Sequence, residues 1–182
     1  MNQVRSSKLS FIFLVFGCLL SLLGALAPFW QSGHIVMSQL SLYLHDDSLA
    51  DGNLTTVDGG LWWYCYSNTR VCNIYRLGED EGAVWAVRVG TFFNVILVLF
   101  CFLVALCRCC YTGVGRNICV GIMAFIAGFL GFGVIGLFVY LATGGYGLKL
   151  EDWSYAWAFY IYIIGCSVVI IDSVLLCVAY PG

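Results

Sequence analysis

The hydrophobic pattern divides the chain into long apolar runs separated by polar intervals. Leu9 to Ala27 carries no charged residue, and neither does Val89 to Cys107 or Ile118 to Thr143. A fourth run, Tyr155 to Tyr180, contains one, Asp172. A helix of about 20 uncharged residues spans the hydrocarbon core of a bilayer. Lipid offers backbone groups no hydrogen-bond partner, so each run is expected to cross as a helix. The pattern predicts spans over 9–27, 89–107, 118–143 and 155–180, with loops over 28–88 and 144–154. The longer runs exceed a perpendicular passage, which predicts tilt or protrusion. For the first run the alternative is a cleaved signal peptide, because Arg5 and Lys8 precede it and Ala25-Leu26-Ala27 resembles a cleavage site. Its length, and Pro28 directly after the site, favour a retained helix.

Between the first two runs the period changes. Leu40, Leu42 and Leu44 alternate with Gln39, Ser41 and Tyr43, the pattern of a half-buried strand. His45 to Gly60 is polar, acidic and glycine-containing and reads as an exposed loop. Trp62 to Tyr66 and Arg70 to Tyr75 are short aromatic and β-branched runs around Ser67-Asn68-Thr69, which predicts a hairpin.

Composition sharpens this to an integral membrane protein. The 182 residues are 62% hydrophobic and only 10% charged, with a mean hydropathy of +0.93. Such a chain cannot cover a surface with polar groups in water, so the lipid bilayer is its expected surrounding. Charge then gives orientation. Arg5 and Lys8 precede the first run, Arg108 and Arg116 lie between the second and third, and no acid accompanies them. The segment from Phe29 to Val87 holds Asp46, Asp47, Asp51, Asp58, Glu79, Asp80 and Glu81 against only Arg70 and Arg76. The positive-inside rule places both termini in the cytoplasm and the long loop outside.

The candidate chemistry is structural. Gly17, Ser21 and Ala25 recur every four residues in the first span, as do Ala124 with Gly128 and Ala127 with Gly131 in the third. Small residues at this spacing let helix backbones approach, within one bundle or between copies. Of ten cysteines, only Cys65 and Cys72 fall in the outer loop, where the compartment is oxidising, and they are expected to pair. A zinc site is not expected, since His34 and His45 are distant in sequence. Asn53-Leu54-Thr55 is an N-glycosylation acceptor on the side of that machinery. Cys107, Cys109 and Cys110 flank the inner edge, as palmitoylation candidates or simply as small apolar residues. Arg88 is expected to tie helix to loop at the outer end of span two. Asn94 is expected to bond across to another helix. Asp172 has three readings: an ion relay, a contact with another protein's helix, or a hydrogen-bonded group inside the bundle. A transporter would need a continuous polar path, and no second acid or base accompanies Asp172 in the spans.

Catalysis finds no motif. No nucleophile–base spacing, glycine-rich phosphate loop, cofactor fingerprint or basic nucleic-acid patch is present, so neither an enzyme nor a nucleic-acid binder is expected. Trp30 after the first span, then Gly60-Leu61-Trp62, Cys65 and Cys72, with Arg88 opening the second span, resembles the claudin, peripheral myelin protein and epithelial membrane protein superfamily. Asp152-Trp153-Ser154-Tyr155-Ala156-Trp157 is similar to the lens-fibre and epithelial membrane branch and to glutamate-receptor auxiliary proteins. The resemblance covers the whole chain, 1–182, as one claudin-like domain. It implies a mainly α membrane protein, a four-transmembrane-helix bundle topped by a small extracellular antiparallel β-sheet with the two cysteines bridged.

It further implies residence in the plasma membrane and a role in cell–cell contact or side-by-side self-association, in cis or trans. The alternative role is accessory binding to an ion channel or receptor. The interval from Trp30 to Gly60 is longer than in typical claudins, and the C-terminal Tyr-Val of many claudins is absent from Tyr180-Pro181-Gly182. Gly60-Leu61-Trp62 and the cysteine pair read as framework. Specificity is expected in 45–58 and at the hairpin tip, 67–70.

Overall fold

The computed structural model describes residues 2–27, 29–36, 54–66, 72–74, 82–108, 114–144 and 151–179. Helix α1 (Asn2–Leu26) leads into strand β1 (Gln31–Val36), followed by β2 (Leu54–Gly59), β3 (Trp63–Tyr66) and β4 (Cys72–Ile74). Helices α2 (Gly82–Arg108) and α3 (Val114–Gly144) come next, then strand β5 (Glu151–Tyr155) and helix α4 (Trp157–Ala179). Among the described residues, three helical stretches are long and apolar enough to cross a membrane: Val84–Val104, Ile118–Thr143 and Trp157–Cys177. Helix α1 carries a shorter apolar stretch, Ser10–Leu26. The protein is therefore mostly helical with a small antiparallel sheet, and its helices suit a membrane.

The exterior agrees with that solvent. Phe13, Phe16, Leu19, Phe92, Phe93, Phe129 and Ile171 point outward, while the core is built largely from smaller groups such as Ala25, Ala124, Ala127, Val98 and Cys101. In water that order would be reversed. Inside lipid, apolar burial gives no driving force between helices, so close backbone approach takes its place. The small-residue stripes serve that approach within one bundle. A Cβ on Gly24 would stand 2.7 Å from the backbone nitrogen of Tyr162, and one on Gly165 would stand 2.5 Å from that of Ser21. Helices α1 and α4 thus touch almost backbone to backbone. On α3, Gly128 abuts Ile170 and Gly131 abuts Cys166, both on α4.

The sheet has the order β4-β3-β2-β1-β5, with each neighbouring pair antiparallel. Gly33, Val57, Gly59, Tyr64 and Tyr66 share its buried face by register. Ser32, His34, Thr56 and Asp58 line the other, half-buried face. Strand β5 joins β1 through a bulge: Ser32 faces Ser154 and His34 faces Glu151, so Asp152 and Trp153 together oppose Gly33. Asp152 takes φ 48°, which a short polar side chain tolerates better than most.

Three expectations are corrected here. Leu54–Gly59 was expected within an exposed loop and is an internal strand, because Thr55, Thr56 and Val57 fit a pleated surface between two partners. Residues 151–154 were expected as loop and belong to β5. Tyr155 ends that strand rather than opening the fourth span, and α4 starts two residues later. The alternation at Leu40, Leu42 and Leu44 lies outside the described residues.

The glycines give opposed predictions. Gly165→Val is expected to lower the thermal midpoint in detergent by the equivalent of about 1–3 kcal/mol, since backbone must move to admit it. Gly136, whose Cβ would meet nothing within 4 Å, should accept alanine with no loss and a gain up to about 1 kcal/mol. Equal effects of the two changes would contradict this account of the α1–α4 contact.

Candidate functional site

The site is built where α1 ends. A helix leaves its last carbonyls without intrahelical partners, and where they are covered from water they need other donors. Here the Leu23 carbonyl receives the Ala27 N–H at 3.0 Å. The next donor in sequence would be residue 28, a proline, which has no N–H. The Trp30 indole supplies the missing donor, reaching the Gly24 carbonyl at 2.7 Å. The Trp62 indole donates to the Ala25 carbonyl at 3.1 Å, and the Trp63 indole to that of Leu26 at 3.0 Å. Three indoles thus cap three consecutive carbonyls.

The same segment starts the last helix. The first N–H groups of a helix are orphaned as well. Ala156 donates to the Trp30 carbonyl and Ala158 to that of Phe29, each at 3.0 Å. Trp30 N–H donates to the Gly59 carbonyl at 3.0 Å, which brings in β2. Residues 29 and 30 therefore join the end of α1, the start of α4 and the sheet.

Arg88 adds a further tie. It is 3% exposed and its Nε donates to the Leu61 carbonyl at 2.7 Å. This is the expected link between the second span and the loop. The helix begins earlier than expected, at Gly82, so Arg88 sits about 9 Å along it at 1.5 Å per residue. Leu61 itself is buried in the outer core with Trp30, Val87, Phe159 and Tyr162. Gly60-Leu61-Trp62 is thus a seat: Leu61 enters the bundle, its carbonyl holds Arg88, and Trp62 caps α1.

Beyond the seat, Cys65 and Cys72 face one another across β3 and β4 and are bridged. A loop of eight residues closed this way stabilises by about 2.5 kcal/mol in the chain-entropy account. The disulfide lies on the same face of the sheet as Asp58, whose register partner is Cys65.

Below the seat, polar groups tie the helices. The Trp30 ring packs edge-on against Phe138 at 4.9 Å and lies 5.2 Å from Tyr162. Tyr162 donates its hydroxyl to Asn94 Oδ1 at 2.8 Å, and Asn94 Nδ2 donates to the Ala127 carbonyl at 2.6 Å. Asn94 does bond across helices as expected, to α3 and α4 together. Gly131 gives it room, since a Cβ there would stand 3.3 Å from Asn94 Nδ2. Nearer the other end, Ser10 donates to Asp172 Oδ1 at 2.7 Å, linking α1 and α4. Asp172 is fully buried. It is a hydrogen-bonded group inside the bundle and is not presented to another protein's helix.

Sequence reasoning missed Trp63, Tyr162 and Ser10. Trp63 could have been found as a third indole donor beside a proline-ended helix. Asn53, Cys109 and Cys110 lie outside the described residues, and Cys107 is described only as part of α2. Among the described residues, no group of three His, Cys, Asp or Glu is placed to hold a metal ion. No protein-family model matches the chain, and the search of curated proteins gives no match.

The proline–indole substitution can be tested as a double-mutant cycle. Trp30→Phe keeps an aromatic ring but leaves the Gly24 carbonyl unpaired, and is expected to destabilise by about 1–3 kcal/mol. Adding Pro28→Ala restores a backbone N–H and should recover about 1 kcal/mol in that background only. Additive effects of the two changes would show that Trp30 acts through packing alone.

Proposed function

We propose that this chain is a claudin-like integral membrane protein with a structural role in cell–cell contact or lateral membrane assembly. In this reading four helices cross the plasma membrane, both termini are cytoplasmic, and the sheet stands outside. The observation that carries it is the seating of a disulfide-stapled sheet on the end of α1 by Trp30, Trp62 and Trp63. Such a sheet is a fixed platform. A partner meeting it need not pay to order it, which favours repeated weak contacts between copies. The orientation draws on the disulfide, which needs an oxidising compartment, and on Arg5, Lys8, Arg108 and Arg116 at the far end. Outward-facing Trp85, Trp157 and Tyr160 near the sheet end suit the outer membrane interface.

The second reading, an auxiliary subunit of an ion channel or receptor, keeps the long 28–88 interval as support. It loses Asp172 as a contact residue, because that carboxyl is engaged by Ser10 within the bundle. Copurification of a channel from native membrane, without self-crosslinking, would favour it.

Expressed with a cytoplasmic tag, the protein is expected to concentrate where two expressing cells touch and to crosslink to itself there. An even distribution over free and contacting membrane, with no self-association, would sink the contact role. Cys65→Ser is expected to reduce enrichment at contacts several-fold by releasing β4. Orientation is read separately. A glycosidase-sensitive gel shift abolished by Asn53→Gln is expected if the sheet side is external, whereas antibody access, on unpermeabilised cells, to tags placed at the N- and C-termini would invert the topology.

A further inference from the structure

The Cys65–Cys72 bridge is asymmetric in the sheet. Its two residues are directly opposed in register, so the bridge lies across β3 and β4. Cys65 belongs to an interior strand and is 5% exposed, whereas Cys72 belongs to the edge strand and is exposed. Exposed disulfides are the ones that exchange with thiols, because a thiolate must reach a sulfur to break the bond.

The direction of approach favours the same sulfur. A thiolate attacks along the S–S axis, from the side away from the leaving sulfur. For Cys72 that side is the open edge, since among the described residues the sheet order ends at β4. For Cys65 that side belongs to β2, where Asp58 stands opposite Cys65 in register. The neighbouring strand covers that route, and an acidic residue on it disfavours an incoming anion.

What the bridge holds is equally local. Strand β4 is three residues long, and its register partners are Trp63, Tyr64 and Cys65 of β3. So short a strand adds little pairing of its own. The indoles of Trp62 and Trp63 bond to α1, and β3 keeps its register with Val57, Asp58 and Gly59 of β2. Opening the bridge therefore frees β4 and leaves the seat in place. Strand β3 then becomes the edge, with the backbone groups that faced β4 turned to water.

We propose that Cys65–Cys72 is a thiol-operated switch at the sheet's edge, opened by a low-molecular-weight thiol that attacks the Cys72 sulfur. In the first step the thiolate bonds to Cys72 Sγ, the Cys65–Cys72 bond breaks, and Cys65 leaves as a thiolate that takes a proton from water. A second thiolate then attacks the added sulfur, releasing a small disulfide and the Cys72 thiolate, which is protonated in turn. Two thiols are oxidised and one cystine is reduced. The switch rests on the sheet's geometry and not on the contact role; the membrane reading only decides which thiols meet it.

The test exposes the full-length protein in detergent to glutathione, blocks free thiols with N-ethylmaleimide, and maps the products by mass spectrometry. Trypsin cleavage after Arg70 puts the two cysteines on separate peptides. The first adduct is expected on Cys72 in about tenfold excess over Cys65. After full reduction, amide hydrogen exchange in β4 should rise by about 70-fold, the bridge's contribution expressed as an equilibrium constant. Exchange in β3 should rise with it, while β1, β2 and the helices keep their protection. Cys65→Ala with Cys72→Ala should reproduce that pattern without thiol, and reduced wild type carries the comparison if the variant does not accumulate. Equal modification of the two cysteines would overturn the proposal, as would a bridge that resists glutathione in the folded protein but not in the unfolded one. So would loss of protection in β1, β2 or the helices on reduction, which would make the bridge a staple of the whole fold. A protein that fails to gather at cell contacts would leave these results standing.

Discussion

The fold depends on how α1 ends. Pro28 removes the N–H that would continue the helix ladder, and the carbonyls of Gly24, Ala25 and Leu26 are left without intrahelical partners. Water could serve such groups at an open helix end. At Gly24 this end is covered, because Trp30 is fully buried and Leu61 is packed beside it, while the bonds at Ala25 and Leu26 are half-buried and exposed. Indole N–H groups suit a covered helix end, since each brings a single donor on a large apolar body. The consequence is that the sheet cannot be placed independently of the helix. Trp62 leads into β3 and Trp63 opens it, so capping α1 fixes where β3 begins.

From that point the restraints pass inward. The Trp30 ring rests against Tyr162, whose hydroxyl holds Asn94, whose amide holds the Ala127 carbonyl. One chain of contacts thus crosses α1, α4, α2 and α3. Each polar member has a partner, as a buried network in lipid requires. The glycines make it geometrically possible. Gly24 lets Tyr162 come close to α1, and Gly131 admits Asn94. Close approach and hydrogen bonding are therefore one device, with neither effective alone.

Much of this was legible in sequence because lipid leaves few solutions. Uncharged length identified the helical stretches, small-residue spacing identified the faces that pack, and Asn94 and Arg88 had to bond to something within reach. The cysteine pair followed from compartment. The strands were harder. Thr55-Thr56-Val57 sits in a polar, acidic context, and its β character emerges only when β1 and β3 flank it. Strand β5 carried an alternation of its own, Asp152-Trp153-Ser154-Tyr155, but its partner is more than a hundred residues away in β1. No local pattern encodes such a pairing. The role of Asp172 was likewise open until Ser10, on another helix, was seen to donate to it.

The arrangement also constrains how the protein can meet anything else. Its surface is divided by solvent: an apolar helical wall set by Phe, Leu and Ile, and a sheet whose half-buried face offers Ser32, His34, Thr56 and Asp58. Lateral recognition in lipid must rely on shape, because apolar contact alone does not distinguish a neighbour from an acyl chain. Recognition in water can use charge and hydrogen bonding on a platform already ordered by the disulfide and the indole caps. A change at the seat would reach both surfaces, since Trp30 belongs to the helix core and to the sheet's anchoring at Gly59. A change on the sheet's polar face, or on the outward side of α3, would reach only one. Trp30, Gly60-Leu61-Trp62 and Arg88 therefore fix the relation between the helical wall and the sheet.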